Sequence, residues 1–491
     1  MSHESYDQVA YLSRPIPSTD PQLLSTMAHL FGLDAADPAD CDVLELGCGD
    51  GGNLLSLAGS YRGIRAVGFD PAQEPIGRGR EAIARTGITN LTLHHDEAEV
   101  DLTESADYVL AHGVLTWVDP GVREAVIASA ARAARPGALV NFSYRAFPYA
   151  YYELPAREAA QFAIRQARER AAERGEVLTW RDELEVAKER LRWIVELTET
   201  EVHKRALADR LHEWEHVIPD WNLFHDDLSD ELHPFRAEDV AREAAAHGLT
   251  YVGEVRPEDV WQLRIADSEI KDRIRALGGD SAIAQRQVAD DLVGGGFHSS
   301  LFVKGDAAPF TEPATRGRDL YVRQYIHNRV RGELDSDREN AAIAQVVREH
   351  TPGYVRASEI AAELGDDQET IDAELLRLHA MGLVRVTTCP PNLPAEPGEF
   401  PRAVPAGVED MLAGDDQVAT RFHTPMRVEA TSMRALFLLC DGTRDRAALA
   451  RDLPGKAAEF GLTADLDAVL ANLDYVLEEA ALVGLLEAPQ D

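Results

Sequence analysis

Val43-Leu44-Glu45-Leu46-Gly47-Cys48-Gly49-Asp50-Gly51-Gly52-Asn53 is the stretch that decides the fold. A short apolar run enters a glycine-rich turn, and NLLSLAGSY then continues with apolar residues at helical spacing. This pattern predicts a buried strand, a tight turn and a helix. Gly47 and Gly49 let the backbone turn sharply and let a ligand lie against it, because a Cβ there would collide. Outward from this point, CDVLELG, IRAVGFD, LTLHHDE, ADYVLAHG and ALVNFSY read as five strands. Helical stretches separate them, so the connections are crossovers and the sheet is parallel and doubly wound.

The composition changes further along. Residues 151–244 are rich in Ala, Glu and Arg and read as a helical insertion, with a regulatory or dimerisation role. LTYVGEV and HSSLFVKGD return to strand character and are expected to close the first sheet. The core domain is thus 1–150 plus 245–305, a Rossmann-like α/β sheet of seven strands. Residues 318–390 have the helix-turn-helix-strand outline of a winged helix. The Pro- and Gly-rich stretch 391–424 reads as a linker, and 425–491 as a helical, winged-helix-like C-terminal module.

Across 491 residues, 85 acidic side chains face 49 basic ones, a formal charge of −36. Phosphate backbones are bound by basic footprints, so this balance weighs against nucleic acid as a partner. Cys41, Cys48, Cys389 and Cys440 form no CxxC pair, which argues against a thiolate metal cluster or a disulfide framework. No apolar run approaches a membrane span and no secretory signal opens the chain, so the cytoplasm is the expected location.

Asp70 ends the second strand, 25 positions after Glu45, where an acid can accept both hydroxyls of a ribose. Gly52 completes a dinucleotide-like G-x-G-x-x-G, so the glycines alone do not separate cofactors. The acids do. Glu45 and Asp50 suit a cationic sulfonium better than two phosphates, and Asp96 and Glu97 follow the third strand where an adenine amino group would sit. The cofactor expected is S-adenosyl-L-methionine.

With these residues in place, the chain resembles the class I S-adenosylmethionine-dependent methyltransferases. More narrowly it resembles bacterial methyltransferases with a methyltransferase regulatory domain, including the rickettsial-type protein-lysine methyltransferases. The strings that carry this are Tyr6-Asp7…Tyr11 with Thr19-Asp20-Pro21, LELGCGDGGNL, AHGVLTWVDP, FSYRAFP, FHDDL…GLTYVGEV and AQRQVADDL…FHSSLFVKG. The resemblance implies winged-helix-like C-terminal modules and a homodimer. Donor-binding candidates are Tyr11, Glu45, Gly47, Cys48, Gly49, Asn53, Asp70, Pro71, Asp96, Glu97 and His112.

Acceptor-side candidates lie after strands four and five: His112 and Trp117, then Tyr144 and Arg145. His112, Tyr144, His225 and Asp226 are the catalytic candidates; Trp117, Tyr144, Arg145 and His225 are expected at the substrate. Relatives usually have Asn where Arg145 stands, and a cation there would repel a lysine ammonium. His212-Glu213-Trp214-Glu215-His216 matches H-E-x-x-H, but a hydrolytic site inside a methyltransferase insertion is implausible, and no metal site is expected. The second helix of the winged-helix segment is poor in cations, which suits protein contact rather than DNA. Three readings follow: N-methylation of a protein, peptide or peptide-like substrate; O- or N-methylation of a small molecule; and a non-catalytic donor sensor.

Overall fold

The computed structural model describes residues 9–11, 13–95, 101–306, 312–324, 341–351, 353–390, 396–429 and 431–487. Seven strands form the main sheet: β1 (Asp42–Leu46), β2 (Arg65–Phe69), β3 (Leu91–His94), β4 (Ala106–Ala111), β5 (Ala134–Arg145), β6 (Leu249–Glu254) and β7 (Phe297–Lys304). Their order is β3-β2-β1-β4-β5-β7-β6, with β1 to β5 parallel and β7 antiparallel to both neighbours. The reversal between β1 and β4 is the point where crossovers leave in opposite directions, and it opens a crevice at the carboxyl ends of those strands.

Local sequence fixes the helices that frame the crevice. Gly51, at φ +77°, starts the helix Gly52–Ser60 in a left-handed conformation. Asp20 caps Pro21–Leu30 by accepting from the Gln22 amide, with Pro21 at the first position. Asp119 caps Pro120–Ala133 in the same way through Gly121 and Val122.

The insertion comprises Ala150–Glu173, Trp180–Leu197, Glu201–His216 and Asp220–His225 around its own core, with Trp214 fully buried. Two further helices between β6 and β7, Ser268–Gly278 and Ala282–Val293, form no part of the five-strand reading of the sequence. Downstream, an antiparallel sheet of β8 (Tyr321–Gln324), β9 (Val355–Arg356) and β10 (Val384–Thr387) packs with helices Ala341–Glu349, Ala357–Leu364 and Gln368–Ala380. Its apolar core is continuous with that of the main domain: Leu24, Val43 and Leu301 belong to one cluster with Val322, Ile360 and Val386.

The expected linker is corrected by the structure. Within it lie the helix Pro405–Ala413 and β11 (Gln417–Ala419), which pairs with β12 (Pro425–Arg427). Pro405 sits at the first helical turn and Gly414 at the left-handed C-cap, so residues read as breakers are helix caps. No described helix is long and apolar enough to cross a membrane.

Candidate functional site

The site grows from the turn after β1. Gly47, Gly49 and Gly51 have φ of +77°, +58° and +77°, a path that L side chains rarely follow. Amides of Gly47 and Cys48 donate to the Phe69 carbonyl and lock the turn to β2. Asp70 follows directly, half-buried. Its two oxygens accept from the Gly49 amide at 2.8 Å and the Ala72 amide at 2.9 Å. The carboxylate is thereby oriented at the strand end before any ligand arrives. Pro71 is exposed beside it.

Glu45 is buried beneath the turn. Its Oε1 accepts from Asn53 Nδ2 at 3.0 Å, while Oε2 is buried with no hydrogen-bond partner among the described residues. Burial is the main influence on its acid strength, outweighing the Asn53 bond, and the charges of Asp70 and Asp50 add to it; the pKa is pushed up to about 8. Asn53 Oδ1 accepts from the Ile16 amide at 2.9 Å and Thr19 Oγ1 at 3.1 Å, so this side chain holds protein and is corrected from a direct donor contact. The Cys48 thiol likewise points into the core, at the place a Cβ on Gly68 would need.

The segment 13–20 lies across the turn. A Cβ on Gly49 would come within 2.7 Å of Ser13 Oγ, and one on Gly52 within 2.3 Å of the Ser13 carbonyl oxygen. Close approach at these glycines is therefore to the chain itself, and at Gly47 to Val114. Upstream, Tyr11 packs edge-on against Trp221 at 4.8 Å and accepts from Asn222. This places it on the insertion. Asp96 and Glu97 lie outside the described residues, as do Tyr6 and Asp7.

On the acceptor side, His112 follows β4. Its Nδ1 is buried without a partner among the described residues, and burial followed by the charge of Arg256 lowers its pKa to about 4. It is neutral near pH 7. Phe297 lies 5.7 Å from it, centroid to centroid. Arg145 stacks over Trp117 at 5.5 Å and pairs with Glu153 at 2.5 Å and Asp227 at 3.5 Å. Arg210 pairs with the same two acids. The cation expected to repel an ammonium is thus neutralised by partners that sequence spacing did not reveal.

Asp226 accepts from Asn222 at 2.7 Å, and burial and Asp227 push its pKa up to about 7.

Two further candidates are corrected. Tyr144 is fully buried, its hydroxyl bonded to Ser300 Oγ at 2.9 Å and its ring between Phe235 and His298. Strand alternation puts it on the core face with Phe142 and Val140. His225 is also fully buried, with Nε2 2.8 Å from the Val9 carbonyl; it fastens the N-terminal segment to the insertion. The H-E-x-x-H histidines, His212 and His216, meet edge-on with ring centroids 4.8 Å apart on an exposed face, with His225 engaged elsewhere. Among the described residues no three metal-ligating side chains gather.

Residues 44–140 match the family model described as methyltransferase domain, and 219–304 the one described as predicted methyltransferase regulatory domain. With the strand order, these matches define a class I methyltransferase fold with a regulatory domain, the class whose donor is S-adenosylmethionine. Among particular proteins, the chain is 27% identical over 311 residues to the uncharacterized protein RP789 of Rickettsia prowazekii, covering 62% of this chain and 53% of that one. It is 32% identical over 147 residues to RP028 of the same organism, covering 29% and 58%. The chain thus spans little more than half the length of these curated relatives. Over 97% of its length it superposes on all of PKMT2 from Rickettsia typhi, with a TM-score of 0.78 at 19% identity, and equally well on PKMT2 in complex with AdoHcy.

Proposed function

We propose that this chain transfers the methyl group of S-adenosylmethionine to a nitrogen of a protein, peptide or peptide-like acceptor, lysine side chains included. The observation that carries the reading is the oriented Asp70 carboxylate beside the left-handed glycine turn, over a buried Glu45 with one orphaned oxygen. These residues fit the donor: a carboxylate for the ribose hydroxyls, and an acid whose ionisation a nearby cation favours. The bound donor supplies an electrophilic methyl carbon. Everything else falls to the protein: orienting the acceptor nitrogen, excluding water and taking a proton. Trp117 and neutral His112 offer an uncharged wall at the ends of the strands. Asp226, with a pKa near 7, is suited to accept a proton from an incoming ammonium.

Incubation with methyl-labelled S-adenosylmethionine and bacterial extract should place label in macromolecular fractions. Label confined to small molecules would move the reading to metabolite methylation, and no label in any fraction would sink it.

Glu45 gives a second expectation. With a pKa near 8 it is largely protonated at pH 7, and a bound cation lowers that value. Donor binding at pH 7 should release close to one proton, ~0.9 for a one-unit gap between pKa and pH. Calorimetry in two buffers of different ionisation enthalpy measures this. Equal heats in both buffers would show that Glu45 does not respond to the donor. The substitution Glu45→Gln should abolish any difference.

A further inference from the structure

The hairpin β11–β12 belongs to the C-terminal module, yet its tip reaches the floor of the donor site. His423 at that tip is completely buried and has a left-handed backbone, φ +50°. Its Nε2 lies 3.2 Å from Thr19 Oγ1 and its Nδ1 3.0 Å from Ser56 Oγ, on the helix that follows the glycine turn. Thr19 has one hydroxyl proton, and two acceptors face it: the Ile16 carbonyl at 2.8 Å and Asn53 Oδ1 at 3.1 Å. His423 Nε2–H therefore donates to Thr19, and its Nδ1 accepts from Ser56, a tautomer assigned from this network. Contacts then run from His423 to Thr19, from Thr19 to Asn53 and from Asn53 to Glu45, with the single Thr19 proton shared between Asn53 and the Ile16 carbonyl.

Two ion pairs fix the same segment to the C-terminal half. Arg14 binds both oxygens of Asp415, at 2.7 and 2.8 Å, and Arg385 binds the fully buried Asp20 at 2.6 Å. Arg385 also donates to the Phe422 carbonyl, next to His423. A non-glycine residue in a left-handed conformation costs free energy. Here it is the conformation that brings the imidazole between Thr19 and Ser56.

We propose that His423 is a positioning residue for donor binding, through which the C-terminal module holds residues 13–20 on the glycine turn and completes the donor site. This rests on the donor reading above. Linkage makes the effect reciprocal: if docking of the hairpin favours donor binding, the donor favours docking by the same factor.

The test uses the full chain with AdoHcy as probe. His423→Asn tolerates the left-handed backbone and keeps a polar atom near Ser56, but is too short to reach Thr19. It should bind AdoHcy roughly tenfold more weakly, the worth of one buried hydrogen bond. His423→Gln, whose amide reaches the Nε2 position, should recover most of the loss, whereas His423→Met, of similar volume but without the polar atom, should not; a purely packing role predicts equal recovery in both. Should His423→Asn fail to fold, hydrogen exchange on the wild-type chain decides, since AdoHcy should slow exchange across 417–427. Affinity of folded His423→Asn within twofold of wild type overturns the proposal, as does unchanged exchange across 417–427. Absence of AdoHcy binding to the wild-type chain instead overturns the donor reading, and this proposal with it.

Discussion

Replacing Asp70 with Ala should weaken donor affinity by about two to three orders of magnitude. The carboxylate is expected to accept two ribose hydroxyls. Hydrogen bonds to an ionised group contribute about 1.5–3 kcal/mol each, and a 3–4 kcal/mol loss corresponds to roughly 100- to 1000-fold in Kd. The Gly49 and Ala72 amides make Asp70 a preorganised acceptor, so little of that interaction is spent on ordering it. Removing it also strips the turn of a partner. Asp70→Asn is therefore the sharper companion, because it keeps the shape and one acceptor oxygen and should fall between Ala and wild type. Calorimetric titration with AdoHcy measures both, with thermal melts confirming that the fold persists. Binding within fivefold of wild type for Asp70→Ala would remove Asp70 from the donor site.

The largest effect on stability is expected from Arg286→Met, about 3–5 kcal/mol, the usual result of leaving a buried charge uncompensated. Arg286 lies under β6 and β7, where it pairs with Asp290 and donates to the Asp259 carbonyl. His298 Nε2 is 3.0 Å from Asp290, and its Nδ1 is 3.4 Å from Glu254. Glu254 Oε1 also accepts from Ser300 and Tyr251, both at 2.9 Å. Two cations thus balance two carboxylates, all four buried. Without Arg286, a single imidazolium faces both acids.

The same network sets a pH dependence. Burial alone would lower the His298 pKa, but the Glu254 charge and the bonds to Asp290 and Glu254 prevail and raise it. Burial would raise that of Glu254, but His298 and Arg286 lower it. The His298 contribution is therefore full below its ordinary pKa of about 6.5 and is lost as pH climbs through the raised value. The Glu254 contribution is full above its ordinary value of about 4.3 and is lost as pH falls through the lowered one. Melting temperature should be highest in the interval between, and His298→Gln should flatten its alkaline side. An unchanged alkaline limb in that variant would assign the loss to other groups.

Much of the sheet was legible because its strands are short apolar runs between turn residues, and Asp70 was legible because an acid at a strand end has few structural reasons to be there. For Tyr144, alternation from Val140 and Phe142 points the side chain inward, and the structure buries it there. The prolines and glycines of 396–424 carry two meanings, loop or helix cap, and only the packed neighbours distinguish them. The roles of Thr19, His423, Asp227 and Glu153 were beyond reach for a different reason. Each depends on partners brought close by tertiary folding, and nothing in local periodicity records that meeting.

The segment across the glycine turn also constrains how this chain matures. Arg14 meets Asp415 across 401 positions, Thr19 meets His423 across 404, and Asp20 meets Arg385 across 365. Residues 14–20 thus settle only after partners made some 365–404 positions later are present. At about 5–20 residues per second, they wait roughly 20–80 s for those partners to be synthesised. The α/β domain can assemble meanwhile, but the glycine turn is covered only once residues 385–423 have been made.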